Sequence, residues 1–141
     1  MDLTISICSL PVDDPEKALH FYRDVLGFDV HNDVSFEGLR WITVSPPDQP
    51  GLELLLSPHV NPQASEADNK ALGDLMAKGL LGWLVFGTKD CDATFEHIVA
   101  SGAEVLQEPI DQPYGVRDCA FRDPAGNILR FTQKPQPQEQ A

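Results

Sequence analysis

The chain has 141 residues, and its 22 acidic residues against 10 lysines and arginines give a formal charge of −12 at pH 7. A surface this acidic repels a phosphate backbone and an anionic bilayer, so neither nucleic acid nor a membrane is an expected partner. The length suits one domain, and a hydrophobic content of 42% is enough for a folded core.

The first half of the chain begins with an apolar strand, predicted over 5–12, and continues into a helix. Asp14 and Pro15 supply an N-cap and a proline in the first turn, and Gly27 suits the residue after the helix end. Apolar side chains at helical spacing predict its buried face: Ala18, Leu19, Tyr22, Val25 and Leu26. The proline-rich segment 46–51 separates the last two of three further predicted strands, 29–34, 39–44 and 52–56.

A linker, 58–79, joins the halves, with a loop expected first and a short helix over 70–78. The second half repeats the order of the first. A strand at 81–88 precedes a helix that is capped by Asp90 or Asp92 and ends at Gly102. Three predicted strands follow, at 104–106, 118–122 and 128–132. The D-P-A-G-N segment from Asp123 to Asn127 predicts a structural turn between the last two.

The two halves therefore read as two β-α-β-β-β modules, since Gly27 and Gly102 lie 75 residues apart at equivalent positions. We expect a single domain over 1–133, with module one at 3–57 and module two at 80–133. Neither module is long enough to be stable alone. The polar tail, 134–141, is predicted to be disordered.

Location is indicated by three sequence features. The N-terminal segment has no basic leader, and no run of 18 apolar residues occurs, so neither a signal peptide nor a membrane span is expected. Cys8, Cys91 and Cys119 are odd in number and form no CxxC pair, which favours free, buried thiols. The sequence therefore predicts a cytoplasmic protein.

The motifs of both halves resemble those of one superfamily. These motifs are V-x-D-x-x-K-A-x-x-F-Y-x-x-x-L-G-F from Val12 to Phe28, D-x-D-A-T with G-A-E, and F-R-D-P-A-G-N from Phe121 to Asn127. Over about residues 3–133 the chain resembles the vicinal oxygen chelate superfamily, which includes glyoxalase I, extradiol dioxygenases and bleomycin- and fosfomycin-resistance proteins. The resemblance implies an α+β fold whose paired modules form a curved, half-open sheet around a cup. It also implies a site on the concave face and a homodimer.

The resemblance also implies where a metal would bind. In metalloenzymes of the superfamily, four strand positions carry the ligands, and here they hold Ile7, Glu53 or its neighbour Leu55, Trp83 and Arg130. A divalent ion needs several nitrogen or oxygen donors, and one carboxylate does not hold it. We therefore expect no metal and no other cofactor.

Strand alternation predicts which side chains face the cup. The predicted lining is mainly apolar, with two charged groups: Ile5, Ile7, Leu55, Trp83 and Val85, with Glu53 and Arg130. Trp83 offers a flat stacking surface, and the guanidinium of Arg130 suits a carboxylate or phosphate. Of the neighbours Arg40 and Trp41, one reaches the cup. Tyr114 and Arg117, in a turn that leads into a strand, are further candidates for ligand contact.

Structural alternatives stay open for several of these residues. Glu53 and Arg130 can pair with each other in place of a metal, and Trp83 can fill a collapsed cup. Arg117 can form a surface ion pair, and His59 in the linker can reach the cup rim.

Four functions are compatible with this pattern. The favoured one is binding of a small organic molecule without a metal, as in the bleomycin-resistance branch. A second is a metal-dependent lyase or dioxygenase in which His59, or a residue of a second chain, joins Glu53. A third is a metal-free lyase or isomerase with Glu53 as the catalytic base, and the last is a structural or regulatory role.

Overall fold

The computed structural model describes residues 1–135, so most of the predicted tail, 136–141, lies outside the described residues. The first module contains β1 (Ile7–Val12), α1 (Pro15–Leu19), β2 (Asp29–Phe36), β3 (Leu39–Ser45) and β4 (Glu53–Pro58). Helix α1 continues as a π-helical segment, His20–Val25. Helix α2 (Glu66–Ala77) follows in the linker. The second module contains β5 (Trp83–Gly87), α3 (Cys91–Val99), β6 (Val105–Asp111), β7 (Arg117–Arg122) and β8 (Ile128–Gln133).

Each module forms a four-stranded mixed sheet, and both sheets have the same strand order. The orders are β1-β4-β3-β2 and β5-β8-β7-β6. In each sheet the first and last strands of the module pair in parallel, and the other neighbours are antiparallel. The predicted α+β class with two β-α-β-β-β units is thereby confirmed.

Side-chain caps determine where the helices begin. The carboxylate of Asp14 accepts hydrogen bonds from the backbone N–H groups of Glu16 and Lys17, as the sequence predicts. In the second module the cap is Asp90. The expectation of a loop up to residue 69 is wrong, because the Ser65 hydroxyl accepts from the Asp68 N–H and starts α2 four residues earlier than predicted.

One hydrophobic core fills the space between the helices and the helix-facing sides of both sheets. Its fully buried members come from both modules: Leu10, Val12, Tyr22, Ile42, Leu56, Ile98, Phe121 and Leu129. Phe28 of the first module packs edge-on against Phe86 of the second, with ring centroids 5.8 Å apart. Because the core is shared, the two sheets form a single packed unit.

The turn between β7 and β8 fastens the modules together. Asp123 Oδ2 accepts from the Tyr22 hydroxyl at 2.7 Å, and Asn127 Nδ2 donates to the Pro11 carbonyl at 2.7 Å. Asp123 Oδ1 also accepts from the N–H groups of Ala125 and Asn127, which closes the turn. Burial raises the pKa of both Tyr22 and Asp123, and the hydrogen bonds to Asp123 oppose part of that rise for the carboxyl group.

The three cysteines are free thiols, with Cys91 and Cys119 fully buried and Cys8 partly buried. Burial raises the pKa of both fully buried thiols, that of Cys119 to about 12. Across residues 1–135, no helix combines the length and the apolar character that crossing a membrane requires.

Candidate functional site

Each sheet has one side packed on the helices and one side turned away from them, which we call its open face. In β1 and β4, Leu10, Leu54 and Leu56 are buried against the helices. The alternate residues therefore belong to the open face, and the parallel register sets Ile7 beside Glu53. The predicted strand faces agree with this arrangement.

The arrangement of β3 determines which of the neighbours Arg40 and Trp41 lies on the open face. Arg40 lies on the helix side, where it forms ion pairs with Asp33 and with Glu16 of α1. Trp41 therefore lies on the open face, and 45% of its surface is exposed. Trp41 precedes Thr43 by two residues on the same strand, and Thr43 pairs with Leu55 across the strands. Trp41 and Leu55 thus share one face, as the site hypothesis requires.

A pocket of about 380 Å³ forms where this open face meets the linker. Trp41 and Leu55 line it from the sheet, and the remaining contributions come from β3, β4, the linker and α2: Leu39, Arg40, Ser57, Pro58, His59, Val60, Asn61, Pro62 and Leu72. Apart from His59, these linker and α2 residues are not predicted from the sequence to belong to the site. Their polar, proline-containing sequence is typical of an ordinary loop. They line the pocket because the linker and α2 pass beside the open face in the folded structure.

His59, which was considered for the cup rim, is half-buried in this wall. Its ring nitrogen Nδ1 lies 3.4 Å from the Val12 carbonyl oxygen. A Cβ atom on Gly73 would lie 3.0 Å from its Nε2, so α2 approaches the ring closely at a glycine. His59 therefore serves to pack the linker against α2 and the end of β1.

Glu53 sits on the first open face within a network of neutral donors. The Thr43 hydroxyl donates to Glu53 Oε1 at 2.6 Å, and Asn32 Nδ2 donates to the same oxygen at 3.2 Å. Asn32 also donates to the Thr43 hydroxyl at 2.9 Å. Within residues 1–135 Glu53 belongs to none of the ion pairs. The carboxylate is thus held in place with its negative charge uncompensated by a neighbouring cation.

The second open face carries Trp83, Val85 and Arg130, on β5 and β8. Trp83 is 70% exposed and Val85 is 53% exposed, so Trp83 does not fill a collapsed cup. The register places Val85 directly beside Arg130. Aromatic, aliphatic and cationic groups therefore adjoin one another on this face.

Arg130 is bound within its own module. Its Nη1 lies 3.1 Å from Asp118 Oδ2 and donates to Gln107 Oε1 at 3.0 Å. Asp118 is only 1% exposed. Burial alone would raise its pKa, but hydrogen bonds from Gln112 and Gln107 and the charge of Arg130 outweigh that effect and hold the pKa below its ordinary value. Arg130 and Glu53 thus have separate partners, and the ion pair considered between them does not form.

The other two predicted ligand-binding residues do not join these groups. Arg117 lies on the helix side of β7, where it pairs with Asp92 at 2.8 Å and Asp111 at 3.2 Å, which agrees with the alternative of a surface ion pair. Tyr114 is 72% exposed in the turn before β7. Their roles in ligand binding stay predictions.

At the four positions that hold a metal in the superfamily, the side chains offer few donor groups. Ile7 and Trp83 have no metal-binding atom, and Arg130 is cationic. Glu53 is the single donor, and its Oε1 already accepts two hydrogen bonds. In the described part of the chain no three His, Cys, Asp or Glu side chains gather into a metal-binding group. These residues do not fit a metal ion.

Comparison with known proteins gives consistent matches over almost the full chain. The family model described as "Glyoxalase/Bleomycin resistance protein/Dioxygenase superfamily" matches residues 4–131. Uncharacterized protein YurT of Bacillus subtilis (strain 168) is 35% identical over 133 residues, which cover 94% of this chain and 100% of that protein. The crystal structure of UcmS2 has 34% identity and a TM-score of 0.86, covering 94% of this chain and 98% of UcmS2. TnmS3, described as an antibiotic binding protein from Streptomyces sp. CB03234, has 28% identity and a TM-score of 0.73, covering 95% and 98% of the two chains.

Proposed function

Because the chain belongs to the glyoxalase/bleomycin resistance protein/dioxygenase superfamily, we propose that it binds a small organic molecule on its open faces without a metal ion. One observation carries this proposal: Trp41 and Trp83 expose 45% and 70% of their surfaces on the open faces. Exposed indoles next to apolar neighbours and a few placed polar groups are typical of small-molecule sites. The structural likeness to an antibiotic binding protein, TnmS3, supports the same function.

The electrostatics of the open faces restrict the ligand. The charge of Arg130 is compensated by the buried Asp118, whereas among residues 1–135 the side-chain partners of Glu53 are the neutral Thr43 and Asn32. A ligand that brings a cationic or hydrogen-bond-donating group to Glu53 gains an attraction that an anionic ligand lacks. We therefore expect a planar, apolar molecule that carries an amine or another donor.

Metal-dependent chemistry has weaker support. A rearranged metal site within one chain would need His59 beside Glu53, but the His59 ring packs between the Val12 carbonyl and Gly73. The third possibility, catalysis with Glu53 as the base, keeps one supporting observation, since Thr43 and Asn32 both hold Oε1 of that carboxylate. The binding experiment below includes a variant that separates this possibility from simple binding.

A homodimer is part of the proposal. The open faces expose many large apolar side chains in the single chain: Ile7, Val34, Phe36, Leu39, Trp41, Trp83 and Val85. A monomer rarely leaves so many apolar groups in water, and a second copy of the chain would cover part of them. Strands β1 and β5 are also sheet edges with unpaired backbone groups, which a partner can approach. Sedimentation equilibrium tests this, and a monomer at micromolar concentration would contradict it.

The ligand experiment uses thermal-shift and calorimetric titration with a panel of planar aromatic amines and their uncharged and acidic analogues. We expect the melting temperature to rise with the concentration of the amines. Trp83→Ala and Trp41→Ala should weaken binding at least tenfold. Leu80→Ala is the matched control, because Leu80 is 66% exposed but follows α2 and lies outside both sheets.

Two results would contradict binding without a metal. One is the absence of any stabilisation across the panel. The other is stoichiometric metal in protein that was purified without chelator. Glu53→Gln should weaken binding of the amines. If that variant instead binds them normally and abolishes turnover of a ligand that the native protein converts, Glu53 is the catalytic base of a metal-free enzyme.

The three free thiols support a reducing location, and we propose that the protein works in the cytoplasm. Cell fractionation tests this proposal, and recovery of the protein from an oxidising compartment would contradict it.

A further inference from the structure

A cleft of about 400 Å³ opens between α3 and loops of the first module, on the helix side of the sheets. Its floor consists of phenyl rings from both modules. Phe86 and Phe131 stack with centroids 5.1 Å apart, and Phe28 meets Phe86 edge-on at 5.8 Å. Such a floor suits a flat aromatic ring, which gains both apolar burial and ring–ring contact.

The polar side chains in the walls of this cleft already have hydrogen-bond partners within the protein. The Thr88 and Thr94 hydroxyls lie 2.7 Å apart. His97 Nε2 bonds to the Val25 carbonyl oxygen at 2.6 Å. The remaining walls are Leu26, Pro46, Ala93 and Ile98. The body of a ligand therefore needs no polar group inside the cleft.

Gly87 and Thr88 also line a neighbouring groove of about 700 Å³, whose other contributors are polar or proline: Asp48, Lys89, Thr132, Lys134 and Pro135. In the parallel register Gly87 pairs with Thr132. Lys89 and Lys134 each lie two residues further along, at equivalent positions just beyond β5 and β8. The topology thus brings two lysines to one end of the aromatic cleft.

These two lysines, with Lys17 and Lys78, are the four cationic side chains that join no ion pair within residues 1–135. All five arginines and Lys70 pair with carboxylates: Arg23, Arg40, Arg117, Arg122 and Arg130. Across residues 1–135 neither Lys89 nor Lys134 takes part in an ion pair. The groove contributes one carboxylate, Asp48, against two ammonium groups. The charged side chains that line the groove therefore have a net positive charge, although the protein as a whole is acidic.

We propose that this cleft is a second binding site, distinct from the open faces, for a small aromatic carboxylate. The ring lies on the floor formed by Phe28, Phe86 and Phe131, and the carboxylate meets the ammonium groups of Lys89 and Lys134. This inference does not depend on the function proposed for the open faces, because the two sites have no side chain in common.

The test is calorimetric titration of the full chain at low ionic strength with three probes that share one ring system: 2-naphthoate, 2-naphthalenemethanol and 2-naphthylmethylamine. We expect naphthoate to bind at least tenfold more tightly than the alcohol, and the amine most weakly at this site. The amide resonances of Gly87, Ala93 and Thr94 should shift in NMR spectra when naphthoate binds. The Lys89→Gln/Lys134→Gln double variant should lose the preference for the acid, and Ala93→Trp should fill the cleft and abolish binding.

Matched controls separate this site from general effects. Lys17→Gln removes an exposed lysine elsewhere, and Ala100→Trp adds an indole at the C-cap of α3, outside the cleft lining, so both should bind naphthoate normally. Trp83→Ala should also leave naphthoate binding unchanged, which distinguishes failure here from failure of the open-face proposal. Equal affinity for acid and alcohol, or undiminished binding to Ala93→Trp, would overturn the inference.

Discussion

Replacing Tyr22 by Phe removes one hydroxyl and tests the joint between the two modules. That hydroxyl donates to Asp123 Oδ2 at 2.7 Å, across 101 residues of sequence. Tyr22 is fully buried and Asp123 is 5% exposed, so no bulk water can replace the lost donor. Asn127 Nδ2, at 3.0 Å, stays the second donor to the same oxygen.

The expected loss of stability in Tyr22→Phe follows from the charge of the acceptor, the Asp123 carboxylate. A hydrogen bond to a charged group contributes about 1.5–3 kcal/mol to the free energy of unfolding. For a chain of this length each kcal/mol lowers the melting temperature by about 3–4 °C, so the variant should melt about 5–12 °C below the native protein. The phenyl ring keeps its packing against Phe21 and Phe28, so no cavity term adds to this cost.

The sign of the pH dependence is set by Asp123. Burial raises its pKa in the folded state, so its contribution to stability is full below the unfolded pKa of about 3.9 and declines as pH rises through the folded pKa. The Tyr22 hydroxyl opposes that rise. Urea unfolding of Tyr22→Phe should therefore show a larger loss of stability at a pH above the folded pKa of Asp123 than at a pH below it.

A double-mutant cycle with Asp123→Asn provides the decisive comparison. In the Asp123→Asn background the hydroxyl meets a neutral acceptor, so Tyr22→Phe should cost only about 0.5–1.5 kcal/mol. If the substitution costs the same in both backgrounds and at both pH values, the carboxylate does not hold this joint and the reasoning fails.

Three further predictions concern other parts of the molecule. Asp118→Asn should lower the free energy of unfolding by about 1–3 kcal/mol at pH 7, and in urea titrations the difference should vanish as pH falls through the depressed pKa of Asp118. Gly126→Ala should lower the free energy of unfolding by about 2–5 kcal/mol because its Cβ would lie 2.7 Å from the backbone oxygen of Ala77. Gly115→Ala is also at positive φ but in open space, so it should lower the free energy of unfolding clearly less. Equal losses for the two variants would contradict this prediction. Trp83→Ala should change the free energy of unfolding by less than about 0.5 kcal/mol, since the side chain is 70% exposed, and a larger loss would mean that Trp83 supports the fold.

Local signals in the sequence determined much of the fold. Asp14 and Pro15 begin α1 where the capping rules place them, and the apolar face that includes Ala18, Leu19 and Tyr22 is buried. Alternation along β1, β4, β5 and β8 assigned side chains to the helix side or to the open face correctly, because a strand has only two faces. The predicted start of α2 is wrong although Ser65 is a standard N-cap, because the polar residues around it are equally typical of a loop.

Pairing between distant residues was decided only by the tertiary structure. The two sheets give Glu53 and Arg130 different neighbours, so the former meets Thr43 and Asn32 and the latter meets Asp118. Trp41 rather than Arg40 reached the open face because Glu16 of α1 and Asp33 hold the arginine on the helix side. Sequence periodicity reports which face a residue occupies, but the partner on that face depends on strand order and on the loops that pass over it.

The net charge of the chain and the local charges at its candidate sites are determined at different levels. By itself the sequence determined that the protein is a strongly acidic chain built as two similar β-α-β-β-β units. Only the tertiary structure decided that, within residues 1–135, Glu53 on one open face and Lys89 and Lys134 beside the aromatic cleft join no ion pair. The physical reason is that a net charge sums over the whole chain, whereas the attraction for a ligand depends on the few groups that the fold leaves uncompensated within contact distance.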